Sequence, residues 1–400
     1  MKKLIKSIIK KLPRCVITKL VKLKNCNYCY FFRLFPVQKN KIVVSNFFGN
    51  SYGDSPKYIV EKLLEKNVDC EIVWLLKKTL VQKALFPLNI KIVKYGSFRA
   101  LYELATAKVW IDNVRKKTCP PKRKNQYYIQ TWHSFLRLKK IEKDAREFLS
   151  ETYVERAKID SANCDLMISG CDFGHNIYRN SFWYDGEILK CGTPRCDIFF
   201  SDTARCKDRV YEYCGISSGT GLILYAPTYR SNSDVKAYLL DYEKIITALM
   251  SKFGGKWKIL IRLHPKAASL SDQINYNENV FDVTDYDDMQ ELLAASDILI
   301  TDYSSSMFDM IVAEKLCLIH AHDLKEYTAK ERELYFTMEQ LPFYVSRNTD
   351  ELIKNIKNYD PEDYGLRLKQ FSREVNIYEE GKASDRLAGI IREKISDKSI

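Results

Sequence analysis

From residue 41 the chain alternates short apolar runs with amphipathic stretches, the pattern of a parallel sheet with helical crossovers. "KIVVSNFFGN", "CEIVWLLK", "IKIVKYG" and "KVWIDN" predict strands, with helices over "SPKYIVEKLLEKN" and "FRALYELATA". "YYIQTWHS", "CDLMISG" and "EILKCGTPR" continue the series as strands. Near residues 195–220 the rhythm breaks into a helix and a polar, glycine-containing loop, "SDTARCKDRVYEYCGISSGTG". A second alternation follows: "LILYAPTYR", a helix from about Asp241 to Phe253, "KWKILIRLHP", "NVFDVTD", the helix "YDDMQELLAAS", "DILITDYSSS", a further helix and "KLCLIHAHD". "RNTDELIKNIKNY" predicts a later helix, and the last stretch a closing one. The simplest architecture is α/β: two doubly wound, Rossmann-like domains, 41–204 and 205–400, facing across a cleft.

Polar residues gather at one place in this scheme. Asn46, Asp112, Trp132-His133, Ser169, Thr193 to Arg195, Pro227-Thr228, His264 and Thr301 to Ser306 all follow the apolar run of a strand. In open α/β sheets that carboxyl edge is where ligands bind.

Charge adds a separate feature. The net charge is +13, yet residues 1–41 hold twelve Lys and Arg and the first acidic residue is Asp54, so the remaining 359 residues carry 52 basic against 51 acidic groups. The basicity belongs to an arm, residues 1–40. In it Leu4, Ile8 and Ile9 fall at helical spacing among lysines, Pro13 ends the first helix, and a second can start near Val16. No uncharged run approaches the ~18 residues of a bilayer span. The pattern suits a helix lying in an anionic headgroup layer, each cation contributing on the order of 1 kcal/mol. Packing on the chain's own body is the competing reading, and nucleic acid the third; the first excludes a nucleic-acid partner. Twelve scattered cysteines with no cleavable leader fit a reducing, cytoplasmic compartment, and the lone Cys26–Cys29 pair lacks a second pair to complete a zinc site.

The candidate chemistry lies at the strand ends. Ser304, Ser305 and Ser306 precede a helix, where free amides and hydroxyls offer a seat for a diphosphate, with Asp309 one turn in to accept from ribose or polyol hydroxyls. Helix capping is the plainer role for the same serines. In "LIRLHP" Arg262 and His264 share a strand face, one a permanent cation and the other a base near neutral pH. His133 in "QTWHS" occupies a matching strand end in the first half. His320 and His322 lack an evident third ligand, so neither metal nor cofactor is expected. No GxxxxGK[ST] loop occurs and no GxGxxG follows the first strand, which argues against a kinase or dehydrogenase.

Together, "YYIQTWHSFLRLKKI", "GTPRCD", "LYAPTYR", "LIRLHP" and "VTDYDDMQELLAASDILITDYSSSMFDMI" resemble the CDP-glycerol glycerophosphotransferase family of teichoic acid and capsule synthesis. "KIVVSNFFGNSYGDSPKYIVEKLLEK" and "AKVWIDNVRKK" resemble its N-terminal half, so the likeness covers about residues 41–330. The resemblance implies a GT-B-like fold and an enzyme moving glycerol phosphate from CDP-glycerol to a hydroxyl of a lipid-linked glycan or polyol-phosphate acceptor, with CMP released, at the cytoplasmic face of the membrane. It implies donor contacts from Trp132, Ser134, Phe135, Leu136, Arg195, Pro227, Thr228, Arg262, Leu263, Ser304, Ser305 and Asp309, and catalysis by His133 and His264. Where the family usually has Gly-Thr-Pro after the first histidine, this chain has Ser134, Phe135 and Leu136, which puts the donor alditol in question. The alternatives are CDP-ribitol as donor, a GT-B glycosyltransferase using a nucleotide sugar, and a non-catalytic scaffold.

Overall fold

The computed structural model describes residues 31–77, 86–117, 119–201, 203–230, 238–330 and 333–396. The helices expected within residues 1–30, and Cys26 and Cys29, lie outside these. Among the described residues no helix is long and apolar enough to cross a membrane.

The first sheet holds β1 (Gln38–Ser45), β2 (Glu71–Leu76), β3 (Ile90–Lys94), β4 (Ala107–Asp112), β5 (Tyr127–Gln130), β6 (Leu166–Ser169) and β7 (Glu187–Lys190). The second holds β8 (Gly221–Tyr225), β9 (Trp257–Ile261), β10 (Val280–Asp282), β11 (Ile298–Thr301), β12 (Leu316–His320) and β13 (Tyr344–Ser346). Their orders are β3-β2-β1-β4-β5-β6-β7 and β10-β9-β8-β11-β12-β13, and the pairings between neighbouring strands are parallel. Strand order therefore reverses between β1 and β4 in one sheet and between β8 and β11 in the other. These are the topological switch points, where crossovers leave on opposite faces and open a crevice beyond the strand ends.

The strands read as nearly unbroken apolar runs because helices cover both faces. On one side of the first sheet Ile42, Val44, Trp74 and Ile111 pack with Ile59, Val60 and Leu63 of the helix Asp54–Glu65. On the other, Val43, Val73 and Trp110 pack with Ala100 and Leu104 of the helix Phe98–Thr106. Fully burying each such large side chain contributes about 1.5–3 kcal/mol.

The closing stretch forms two helices, Pro361–Glu374 and Ala383–Ser396. The expected units, 41–204 and 205–400, are each continuous in sequence, whereas the final helix returns to the first sheet. Its Leu387, Ala388, Ile391 and Ile395 complete the core beside Ile42 and Ile111. The helices Glu151–Asn163 and Asp172–Ser181 go beyond the sequence reading. The first of these has only a weak apolar periodicity, while the second is amphipathic but short.

The lobes meet through buried charge. Lys57 Nζ lies 2.8 Å from Asp288 and 2.6 Å from Glu291, while the Tyr58 hydroxyl donates to Asp288 at 2.8 Å. Asp288 also caps the helix Met289–Ala295 through the Gln290 amide. Gly53 permits this approach: a Cβ there would stand 3.3 Å from the Asp287 carbonyl oxygen.

Candidate active site

Both switch points are laced by side chains from their own strand ends. At the first, Asn113 beyond β4 donates to Asn46 beyond β1 at 2.7 Å, and its Oδ1 accepts from the Phe47 amide at 2.9 Å. At the second, Asp302 beyond β11 accepts from the Thr228 amide at 2.8 Å, and the Thr301 hydroxyl donates to the Ala226 carbonyl at 2.7 Å. Arg230 reinforces this by donating to Asp302 at 2.8 Å and to Asp323 at 2.7 Å.

His133 stands beside the first switch point. Its Nδ1 lies 2.9 Å from the Asn113 carbonyl, which only accepts, so Nδ1 carries the proton and Nε2 the lone pair. Trp132 stacks on the imidazole at 4.6 Å between ring centres, and Phe47 lies at 5.3 Å. Burial, then Arg137, then Arg195 push the histidine down to about 3, against the pull of the Asn113 carbonyl. It is a neutral imidazole at any physiological pH. Backbone strain collects around it: Phe47, Phe48, Asp54 and Trp132 have φ of 42°, 60°, 55° and 53°, in the left-handed region that bulky residues avoid.

His264 has the opposite tautomer. Its Nδ1 accepts from the Lys266 amide at 3.1 Å, so Nε2 is the nitrogen that bears the proton. It lies beyond β9 at the exposed rim, with Tyr229 at 5.6 Å. Desolvation, then Lys266 and Lys139, pull its pKa below the ordinary value.

Arg195 joins the halves. Its Nη1 lies 2.7 Å from Asp54 and 2.6 Å from the His133 carbonyl, and Nη2 holds Asp309 from the second lobe. Burial pushes Asp54 up while Arg195 pulls it back. Asp309 is fully buried and also takes the Gln290 amide, so it ties the lobes together and presents no open face to a polyol. Arg195 is likewise committed to carboxylates.

The serine turn departs from a simple cap. Ser305 starts the helix Ser306–Val312 with no side-chain cap bond, and the Ser304 hydroxyl meets Ser306 Oγ at 2.9 Å. The Thr228 hydroxyl, buried at the same edge, has no partner among the described residues. Pro227 precedes it on the loop after β8. Arg262 donates to the Tyr286 carbonyl beside Asp287 and Asp288, and Leu263 is a core residue at 1% exposure.

Ser134, Phe135 and Leu136, expected as donor contacts, have their side chains out of reach of the crevice's solvent. They are 3%, 1% and 0% exposed, with Phe135 and Leu136 in the large core of the second lobe. The Ser134 carbonyl accepts from Arg137 at 2.8 Å and Tyr178 at 3.0 Å, which turns the segment inward. A larger residue after the histidine is therefore absorbed by packing beneath the site.

Glu379, unmarked in the sequence, reaches the carboxyl ends of β6 and β7. It accepts from the Thr193 amide at 2.8 Å and the Thr193 hydroxyl at 2.6 Å, two residues before Arg195. Gly170 and Gly192 make room: Cβ atoms there would fall 1.9 and 2.9 Å from its oxygens. Burial pushes this carboxyl up to about 8, and Thr193 offsets only part of that. Among the described residues no three His, Cys, Asp or Glu side chains converge as metal ligands.

The family model described as CDP-Glycerol:Poly(glycerophosphate) glycerophosphotransferase matches residues 27–393. A teichoic acid poly(glycerol phosphate) polymerase of Staphylococcus epidermidis is 30% identical over 375 residues, 90% of this chain and 52% of that protein. The chain thus spans about half the length of that relative. A teichoic acid glycerol-phosphate transferase of Staphylococcus aureus is 29% identical over 371 residues, 88% of this chain and 93% of its own. Among solved structures, a variant of the wall teichoic acid polymerase TagF soaked with CDPG superposes with a TM-score of 0.82 at 28% identity, covering 95% of this chain and 96% of that one. The likeness extends the GT-B-like expectation to both lobes.

Proposed function

Because the chain belongs to the CDP-glycerol:poly(glycerophosphate) glycerophosphotransferase family, we propose that it transfers glycerol phosphate from CDP-glycerol to a hydroxyl of a lipid-linked acceptor or growing teichoic acid- or capsule-like polymer, releasing CMP. The observation that carries this reading is the reach of Arg195. One guanidinium touches the backbone of His133 and the helix that follows the serine turn, so a base on one lobe and a phosphate seat on the other are neighbours.

In this reaction the acceptor oxygen attacks the β-phosphorus in line. The bond from that phosphorus to the bridging oxygen breaks, and the electron pair leaves with CMP. The acceptor proton goes to Nε2 of His133, whose tautomer supports the role of base. A well-placed base contributes ~10²–10⁴-fold. An imidazole with so low a proton affinity is always unprotonated but a weak base; the arriving diphosphate raises that affinity at the moment of need. His264, donating through Nε2, stabilises charge on a phosphoryl oxygen, a role its tautomer supports. Thr228, Ser304 and Ser305 supply hydroxyls to the diphosphate at the second switch point, with Pro227 shaping that loop. Arg262, held by the Tyr286 carbonyl beyond β9, adds positive potential there, while Trp132 fixes the imidazole plane.

The acceptor's lipid places the enzyme at the cytoplasmic face of the membrane, held by the basic arm. The test is a donor panel of CDP-glycerol, CDP-ribitol and UDP-sugars with mass measurement of the lipid-linked product. Glycerol phosphate addition with CMP release is expected. Preference for CDP-ribitol or a nucleotide sugar overturns the donor assignment.

A further inference from the structure

Three buried arginines surround the Trp132–His133 strand end, and two are neutralised. Arg115 pairs with Glu142 at 3.0 Å and Asp160 at 3.3 Å, and Arg195 pairs with Asp54 and Asp309. Arg137 is unlike them. It is 3% exposed, and its Nη2 donates at 2.8 Å to the Ser134 carbonyl and at 2.8 Å to the Tyr178 hydroxyl, neither of which carries charge. Its Nη1 has no partner among the described residues. The groups acting on it are Tyr178, Tyr335 and Cys171, all neutral near pH 7. Its guanidinium packs on Trp132 at 5.5 Å and Tyr178 at 4.9 Å. A buried charge without a counter-ion is expensive, and a fold keeps one where the charge does something.

The indole of Trp132 on which Arg137 packs also stacks on the imidazole of His133. We propose that Arg137 is a positioning residue for the transfer: its unmatched positive charge, fixed beside Trp132, adds to burial in lowering the proton affinity of His133, whose neutral Nε2 takes the acceptor proton. This rests on the reading of His133 as the base. Burial acts in the same direction, and among the described charged and polar groups around that imidazole Arg137 is the one without a counter-ion. Phe47 and Trp132 are apolar, the Asn113 carbonyl favours the protonated ring, and the charge of Arg195 is offset by Asp54 and Asp309. Arg137 also comes second only to burial among the influences on His133.

The experiment compares wild type, Arg137→Lys, which keeps the charge, and Arg137→Met, which keeps the bulk. Two readouts are taken: the pH dependence of kcat/KM with CDP-glycerol, and the titration of the His133 ring nitrogens by NMR in the same full-length proteins. In wild type the ring stays neutral to below pH 5. In Arg137→Met the ring titration and the acid limb of kcat/KM both rise by about one pH unit or more, a tenfold gain in proton affinity. Arg137→Lys keeps the wild-type titration even where lost hydrogen bonds lower kcat. An unchanged titration in Arg137→Met, or equal shifts in both variants, overturns the proposal. If Arg137→Met does not fold, a wild-type ring that titrates near 6.5 overturns it, and a ring neutral below pH 5 that shifts in Arg137→Gln sustains it. Turnover by His133→Ala is scored separately, since it removes the base assignment without touching the ring titration.

Discussion

Arg195 and Asp54 form an ion pair of 2.7 Å with both side chains almost wholly out of water. The same guanidinium holds Asp309 across the cleft, so one cation serves two carboxylates from different lobes. Arg195→Ala leaves both anions buried without a counter-charge, and a loss of about 3–5 kcal/mol is expected. Urea unfolding followed by tryptophan fluorescence measures it. A variant as stable as wild type but weak in donor binding would return Arg195 to the role of donor contact.

The tautomers predict unequal tolerance at the two histidines. A glutamine amide can donate like Nε2–H but cannot take a proton at pH 7. His264→Gln should retain more CMP release than His264→Ala, whereas His133→Gln and His133→Ala should both fall by ~10²–10⁴-fold. Melting temperatures close to wild type are expected in all four. Equal damage from glutamine and alanine at position 264 would count against its role as donor.

Glu379 gives a stability prediction with a definite sign. Its folded pKa is about 8 against an ordinary 4.5, so between those values the folded chain keeps a proton that the unfolded chain has released. Its contribution falls as pH rises through that window and levels off above it. The slope is on the order of 1.4 kcal/mol per pH unit at most. Urea midpoints from pH 5 to 9 should decline in wild type and flatten in Glu379→Gln. Parallel curves would show that the group titrates elsewhere.

Gly170 tests the same contact from the other side. A methyl there would meet Glu379 at 1.9 Å and Phe135 Cβ at 2.8 Å. Gly170→Ala is expected to destabilise by about 1–3 kcal/mol through overpacking. Adding Glu379→Ala should recover part of that loss, a coupling that a double-mutant cycle reads directly. Strict additivity would mean that the loop moves aside.

The strand series was legible because each strand, covered on both faces, is a run such as "IVVS" or "ILIT" that turns polar at its carboxyl end. His133, Thr228 and the serine turn follow from that rule. What pattern could not give was direction. Phe135 and Leu136 follow the histidine in sequence, yet the backbone turns at Trp132 and sends them into the core. Asp309 and Arg195 have the chemistry of ligand contacts but satisfy each other, which depends on residues 114 positions apart. Glu379 lies in the break between the two helices that form where one closing helix was expected, a break the pattern did not mark. Asp54 did carry a hint: as the first acid after a long basic arm, in "GDSPK", it could have been matched with a buried cation.

The return of the helix Ala383–Ser396 to the first sheet means that the polypeptide passes between the lobes twice, once before the helix Ala204–Cys214 and again after the helix Pro361–Glu374. Those two crossings and the buried Arg195–Asp309 and Lys57–Asp288 pairs fasten the same seam, so the serine turn and the imidazole opposite keep one register.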